Sequence, residues 1–437
     1  MKALFTFFTA SLLTLACAYG QNNILKVQQV GSENEGETHQ AGSANSISHF
    51  QNGFGNYTNT RQTGERNLGN LTQIGMENRS EAIQIGTSNR INATQAGNEL
   101  KATLRQNGQE NQIVLSDNAG KENNQNNSSS IYQDGTGNRA ELSIGRNGGK
   151  QYETSSDNTT WTKQQGTENQ AFIGVSGNGN RVRASQDGYN NKLGEAMPKG
   201  GAEMGITVVG EQNDLTVYQT GDRNSAKLIH RGNNNLINAE QGDGQEIKGG
   251  LIESHDNTLY VSQTGNNNLA ELGQRAAPGK VFTGYNHLWL YQTGDGNEAF
   301  VKQVGDQNGF QARQTGNINS ISYSATGAEN LGELAQSGNG NQVEAIQKGD
   351  GNRLHGGGKF RNVYEYSSES QAETALQVGD DNYVKALQQG DYNEVNYLQV
   401  GSGNRIEGEQ TGNGHLAEIM QNGINNSHTF SQTSTIP

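Results

Sequence analysis

The chain has 437 residues, 60 of them glycine, with only 30% hydrophobic content, a formal net charge of −13 and a pI of about 5.1. That acidity argues against a nucleic-acid partner and suits a chain that must stay soluble during export. So few apolar residues would ordinarily mean disorder, but a disordered chain has no reason to keep a strict period, and this one keeps a period of eleven.

Residues 1–20 differ in character from the rest of the chain. Lys2 precedes an apolar run from Ala3 to Ala18, which ends in Ala18-Tyr19-Gly20. A positive start, a short apolar core and small residues before the cut describe a secretory signal peptide cleaved near Gly20. The run is too short and too rich in threonine for a membrane span. Cys17, the one cysteine, falls inside it. A lipid anchor on that cysteine would need a better consensus than Thr14 allows. Cleavage near Gly20 leaves a mature chain with no thiol, hence no disulfide framework and no thiolate metal site.

The repeat begins at once and spans 21–437. Gln29, Gln40, Gln51, Gln62, Gln73 and Gln84 are eleven apart, each followed five residues later by Asn34, Asn45, Asn56, Asn67, Asn78 and Asn89. The Gln register runs on to Gln95 and Gln106, although Leu100 replaces an Asn. Gln106 to Gln133 and Gln133 to Gln164 each exceed two periods, so irregular inserts are expected near 118–132 and 145–163. From Gln164 to Gln274 the register holds. Val175, Val208 and His230 replace Gln there, and the degenerate units around Met197-Pro198 and Gln241–Ile252 leave the count unshifted. A third insert falls near 275–285. A clean block then runs through Gln292 and Asn297, Gln303 and Asn308, Gln314 and Asn319, and Gln336 and Asn341, with Ala325 in one Gln slot. After a fourth insert near 353–376 comes the most regular stretch: Gln377 and Asn382, Gln388 and Asn393, Gln399 and Asn404, Gln410 with His415, and Gln421 and Asn426.

The rule is Gln-x-Gly-x-x-Asn followed by five residues that alternate in polarity. Val384 and Ala386, or Val395 and Tyr397, share one parity, while Lys385, Arg405 and Glu407 take the other. Period-2 alternation marks a strand with one buried face. Asn and Gln share the apolar parity and should point inward. The Gly, Asp, Asn and Ser between Gln and the next Asn are turn formers, and the turn glycine suits positive φ or close packing. Proline occurs only at 198, 278 and 437, outside the clean units, as strands require.

Two units make one rung of about 22 residues, so residue i lies over residue i+22 and rungs stack about 4.8 Å apart. Gln and Asn then form amide files, since an amide can bond both its neighbours. Outward, Lys385 falls over Glu407, whereas Arg79 falls over Lys101. A lone rung buries too little to hold itself, and stability should rise with stacking. The expected fold is an all-β solenoid, cross-β in character, whose uncapped end strands can template another subunit.

The run Gln-x-Gly-x-x-Asn-x-Ala/Ile/Val-x-x-x-Gln resembles the curlin repeat of curli subunits, the bacterial functional amyloid, over nearly all of residues 29–432. The resemblance implies export across a Gram-negative outer membrane and nucleated polymerisation into cell-surface fibres that serve adhesion and biofilm matrix. It implies partners as well: other copies of the chain, a curli-type nucleator and the outer-membrane secretion machinery. The Gln and Asn residues named above become the amyloid-core file.

Other classes fit less well. A polysaccharide-active β-helix would gather catalytic carboxylates at one break in the repeat, and Asp and Glu here are spread over turns and outer faces. A calcium-binding repeat would need nine-residue units. His49, His230 and His415 occupy repeat slots, not metal spacing. Trp161 is expected in an insert and Trp289 on an outer face. The sequence thus predicts no enzyme, cofactor or metal. The alternative is a monomeric secreted solenoid acting as an adhesin or as an ice- or polysaccharide-binding protein, which would need capped ends.

Overall fold

The computed structural model describes residues 22–117, 124–147, 150–151, 155–194, 205–242, 253–275, 282–355 and 377–434. The signal peptide predicted at 1–20 and the prolines at 198, 278 and 437 lie outside the described residues. The chain divides into two compact units, one comprising Met1–Gln186 with Glu195–Val209 and the other Asp187–Gly194 with Gly210–Pro437. The fold is an all-β solenoid of long parallel sheets, with no helix among the described residues.

In the first unit the chain alternates between two sheets strand by strand. Ile24–Ser32 lies in one sheet, Glu35–Ser43 in the other, and Ser46–Phe54 returns to the first. The register is set by two periods of eleven: Ile24 pairs with Ser46, Glu35 with Tyr57, and Gln51 with Gln73. The second unit repeats the plan, as Tyr383 pairs with Arg405 and Glu394 with Leu416. Both sheets bury one face because side chains alternate along each strand. Ser46–Phe54 buries Ile47, His49 and Gln51 while the residues between them look outward.

The core between the sheets is thin and made of small aliphatic residues, such as Ala82, Ile91, Val384 and Ile406. Where it admits an aromatic ring, glycine makes the room. The rings of Phe310 and Tyr323 lie 4.4 Å apart, and a Cβ on Gly332 would sit 2.5 Å from the Tyr323 ring. Among outward residues, Lys385 pairs with Glu407 and Arg79 with Lys101, as the two-period register requires.

The irregular stretches differ from expectation in three ways. Ser128–Thr136 and Thr159–Thr167 are full strands in register with Lys101–Gln109, so the ends of the inserts read at 118–132 and 145–163 belong to the stack. Trp161 therefore sits in a strand, not in an insert. Second, keeping the eleven-residue count does not keep every rung at two periods. Ile173 pairs with Ile206, and Leu236 with Leu269, each 33 residues on, so these rungs take three periods. In the sequence, Met197 and Ala202 stand in the Gln and Asn slots of the first degenerate unit, and Glu246 and Ile252 in the Asn slot and next Gln slot of the second. Third, Gln347 pairs with Gln388, 41 residues on. The rung between contains the short strands Arg353–His355 and Gln377–Val378, which both pair with Glu394–Ser402. Two small strand pairs lie outside the main sheets: Arg146–Asn147 with Lys150–Gln151, antiparallel, and Glu253–His255 with Phe282–Gly284, parallel.

Candidate functional site

The repeat residues converge on two kinds of buried amide column. Nearly all the predicted Gln and Asn positions are buried to within a few per cent; Gln29 and Asn426 are more open because they lie on end rungs.

In most of the Gln columns Nε2 donates to the Oε1 of the Gln in the next rung, except where the next slot holds another residue, as at Asp117 after Gln95 and Ala325 after Gln303. Gln40 reaches Gln62 at 3.0 Å, Gln62 reaches Gln84 at 2.7 Å, and Gln84 reaches Gln106 at 2.9 Å. The columns cross the inserts without losing file, since Gln106 bonds Gln133 (2.8 Å) and Gln133 bonds Gln164 (2.7 Å). In the second unit Gln292 bonds Gln314, Gln377 bonds Gln399, and Gln388 bonds Gln410. The second hydrogen of Nε2 crosses to the opposite sheet: Gln399 donates to the Tyr383 carbonyl at 3.1 Å. Each Gln thereby ties rung to rung and sheet to sheet.

The Asn columns run the other way. Asn404 donates its Nδ2 back to Asn382 Oδ1 (3.0 Å) and forward to the Gly423 carbonyl (2.9 Å), while its backbone N–H also donates to Asn382 Oδ1. Asn56 on Asn34, Asn67 on Asn45, and Asn319 on Asn297 repeat the pattern. The glycine carbonyl that receives this bond belongs to a tightly stacked turn. Gly401 has φ +110°, and a Cβ there would lie 1.9 Å from the Gly423 oxygen. Positive φ and close approach are thus both required at that position.

Substitutions in the columns have local consequences. Leu100 still donates its backbone N–H to Asn78 Oδ1, but it offers no amide to the next rung. Asp117 occupies a Gln slot opposite Gln95. Its Oδ1 accepts from Asn124 (2.8 Å) and Asn127 (3.2 Å), its Oδ2 has no partner, and burial pushes its carboxyl up to about 7. His230 fills another Gln slot, opposite Gln263. Both its ring nitrogens and Gln263 Oε1 lack partners, and burial lowers the imidazole to about 3. His49 sits inward, its ring bonded by the hydroxyls of Thr60 (2.8 Å) and Thr58 (3.1 Å), with burial lowering it to about 4. His415, in an Asn slot, contacts the Thr411 carbonyl through Nε2. Glu333 is a residue that the repeat pattern gives no reason to single out. It has outward parity yet is buried, and burial pushes its carboxyl up to about 7. Trp289 lies half-buried on an outer face as expected.

At the ends the sheets stay open. Among the described residues Ile24–Ser32 pairs only with Ser46–Phe54, and Glu35–Ser43 only with Tyr57–Glu65. At the other end Leu416–Ile424 and Ser427–Thr433 likewise have one strand neighbour each. Apolar side chains stand uncovered there, with Ile24 50%, Met420 74% and Ile424 72% exposed. Among the described residues no group of three or more His, Cys, Asp or Glu is placed to hold a metal ion.

Three stretches of the chain, residues 64–97, 156–188 and 286–316, match the family model of the curlin associated repeat. Comparison with curated proteins gives no match. These matches fall on rungs whose Gln, Gly and Asn stack in register, so the chain carries repeats similar to those of the curlin-repeat family.

Proposed function

We propose that the chain is a secreted structural subunit that polymerises into curli-like amyloid fibres on the bacterial surface, without catalysis, for adhesion and biofilm matrix. The reading rests on the open end rungs. Parallel edge strands with unpaired N–H and C=O groups are templates for a further strand. Nothing caps them among the described residues, as a monomeric solenoid would need.

The polarity of the amide columns supports a head-to-tail joint. Gln donates toward the C-terminal side and Asn toward the N-terminal side throughout each unit. At the C-terminal end Gln432 therefore presents Nε2 and Asn426 presents Oδ1. At the N-terminal end of the described residues Gln40 presents Oε1, and Asn34 donates its Nδ2 to the Val30 and Gly53 carbonyls, as inner Asn residues do to the equivalent pair. Donor columns of one copy thus meet acceptor columns of the next, whereas a head-to-head joint would oppose donor to donor. Partners of this kind are other copies of the chain, with a curli-type nucleator and the outer-membrane secretion machinery upstream of assembly, and the fibre is extracellular after removal of residues 1–20.

The test is seeding. Freshly purified mature chain should show a lag, then dye-binding fibrils with a 4.7–4.8 Å meridional reflection, and sub-stoichiometric preformed fibre should abolish the lag. A chain that stays a soluble monomer for days, with or without seed, would favour the monomeric solenoid.

A further inference from the structure

One outer face of the first unit is built by Lys101–Gln109, Ser128–Thr136, Thr159–Thr167 and the start of Arg181–Tyr189, neighbours in one sheet. Ahead of the Gln column these four strands point twelve side chains outward. Five are cations, Lys101, Arg105, Lys163, Arg181 and Arg183, and all five are exposed. None is acidic, in a chain whose net charge is −13. The others are five Ser or Thr hydroxyls and two aromatic rings, Tyr132 and Trp161. The register sets Tyr132 between Arg105 and Lys163, and Trp161 beside Ser130, with Gln164 bonded to Gln186 bringing Arg183 next in its column.

A stack that places like residues over one another gains from alternating sign and loses from repeating it. Several cations on other faces have partners: Arg223 meets Asp256 at 2.8 Å, Arg275 meets Glu240 at 2.5 Å, and Lys385 approaches Glu344 at 4.0 Å. On this face Lys101, Arg105, Lys163 and Arg183 take part in no ion pair among the described residues. A cationic face free of acidic side chains and set around two aromatic rings is complementary to an external anion with an apolar body.

We propose that this face binds an acidic polysaccharide, a polymer of uronate-type sugars. Guanidinium and ammonium groups would take the carboxylates through charge-assisted hydrogen bonds, the hydroxyls would meet sugar hydroxyls, and the rings of Trp161 and Tyr132 would take the C–H faces of the sugar rings. Asp134 and Asp157, at the turns on either side, accept from Asn107 (2.9 Å) and Asn126 (2.7 Å) of the preceding rung and rim the face with negative charge. A sparsely charged polymer fits between those rims. A nucleic acid, with one charge per phosphate, meets both the rims and the acidity of the whole chain. The face belongs to each copy, so binding does not require fibres, and the proposal stands or falls apart from assembly.

The test is a titration of freshly purified, still monomeric mature chain with sodium polygalacturonate, a neutral glucan and single-stranded DNA as probes. The expected result is salt-sensitive binding of polygalacturonate that weakens about tenfold in R105Q/R183Q, weakens again in W161A, and is untouched by K302Q/R313Q on the second unit. The single change K163Q gives the same reading by a smaller factor should the double variant unfold early. Equal affinity for the neutral glucan, an equal loss in K302Q/R313Q, or tighter binding of DNA with the same dependence on Arg105 and Arg183 would each overturn the proposal.

Discussion

Gln388 donates its Nε2 hydrogen to the Oε1 of Gln410, one rung on, across 3.1 Å, with both side chains buried to 1% exposure or less. A buried amide that loses such a partner keeps the full cost of its desolvation, about 1–3 kcal/mol. The columns are therefore worth more to the fold when complete than any one bond suggests.

Gln399 tests this directly. It receives from Gln377, donates to Gln421 (2.9 Å), and ties the Tyr383 carbonyl of the opposite sheet. We predict that Gln399→Leu destabilises the chain by about 2–4 kcal/mol and slows fibre growth, whereas Glu409→Leu, on an exposed outward side chain, changes stability by about 0.5 kcal/mol or less. Thermal unfolding and seeded growth rates check it; equal effects would reject the inward assignment.

Two glycines with positive φ should respond differently to alanine. At Gly401 the added Cβ would lie 1.9 Å from the Gly423 carbonyl oxygen, which no rotamer relieves. At Gly414, φ +72°, nothing lies within 4 Å, so only the backbone preference of about 1–2 kcal/mol is lost. Gly401→Ala is expected to break the rung, seen as early local exchange of its amides, while Gly414→Ala stays folded with a modest drop in its unfolding midpoint.

The buried ionisable groups set opposing pH dependences. His49 and His230, lowered to about 4 and about 3 from 6.5, stay neutral in the fold while the unfolded chain protonates, so their stability is present above about 6.5 and lost as pH falls through that range. Asp117, raised to about 7 from 3.8, keeps its proton in the fold while the unfolded chain ionises. Its stability is present below about 4 and lost as pH rises toward 7. Asp117→Asn should therefore gain on the native chain progressively from pH 4 to 7, by about 2–4 kcal/mol, and then plateau. Denaturant unfolding at several pH values reads this; a gain independent of pH would show that the carboxyl does not titrate in the fold.

His230→Gln is the complementary repair. Gln263 Oε1 has no donor beneath it, and a Gln at 230 would supply Nε2 in the column's own geometry. The variant is expected to be more stable by about 1 kcal/mol and to lose part of the acid sensitivity.

The columns are legible in the sequence because Gln, Gly and Asn answer to one geometry each: an amide that bridges rungs, a turn that admits no Cβ, and an amide that clamps the next turn's carbonyl. The rungs of 33 residues are not legible. A rung of three periods, such as the one from Ile173 to Ile206, leaves the count of eleven unchanged, so spacing alone cannot tell it from a rung of two. The strand Thr159–Thr167 reads as part of an insert because its neighbours 145–154 break the period, although Gln164 and Asn169 mark its register. Asp117 is hidden for a similar reason: a carboxylate standing in a Gln slot looks like a turn residue until the neighbouring rung is placed on it.

The cleavage predicted near Gly20 would leave the mature chain without cysteine, so engineered pairs can report stacking without interference. Neighbouring rungs lie about 4.8 Å apart, within the range a disulfide spans. Lys385→Cys with Glu407→Cys, paired one rung apart, and Asn238→Cys with Glu271→Cys, paired across a 33-residue rung, should oxidise rapidly in the native chain. Lys385→Cys with Asn396→Cys, eleven residues apart on opposite sheets, should not. Coupling of the eleven-residue pair, or none in the other two, would contradict the stacked-rung account.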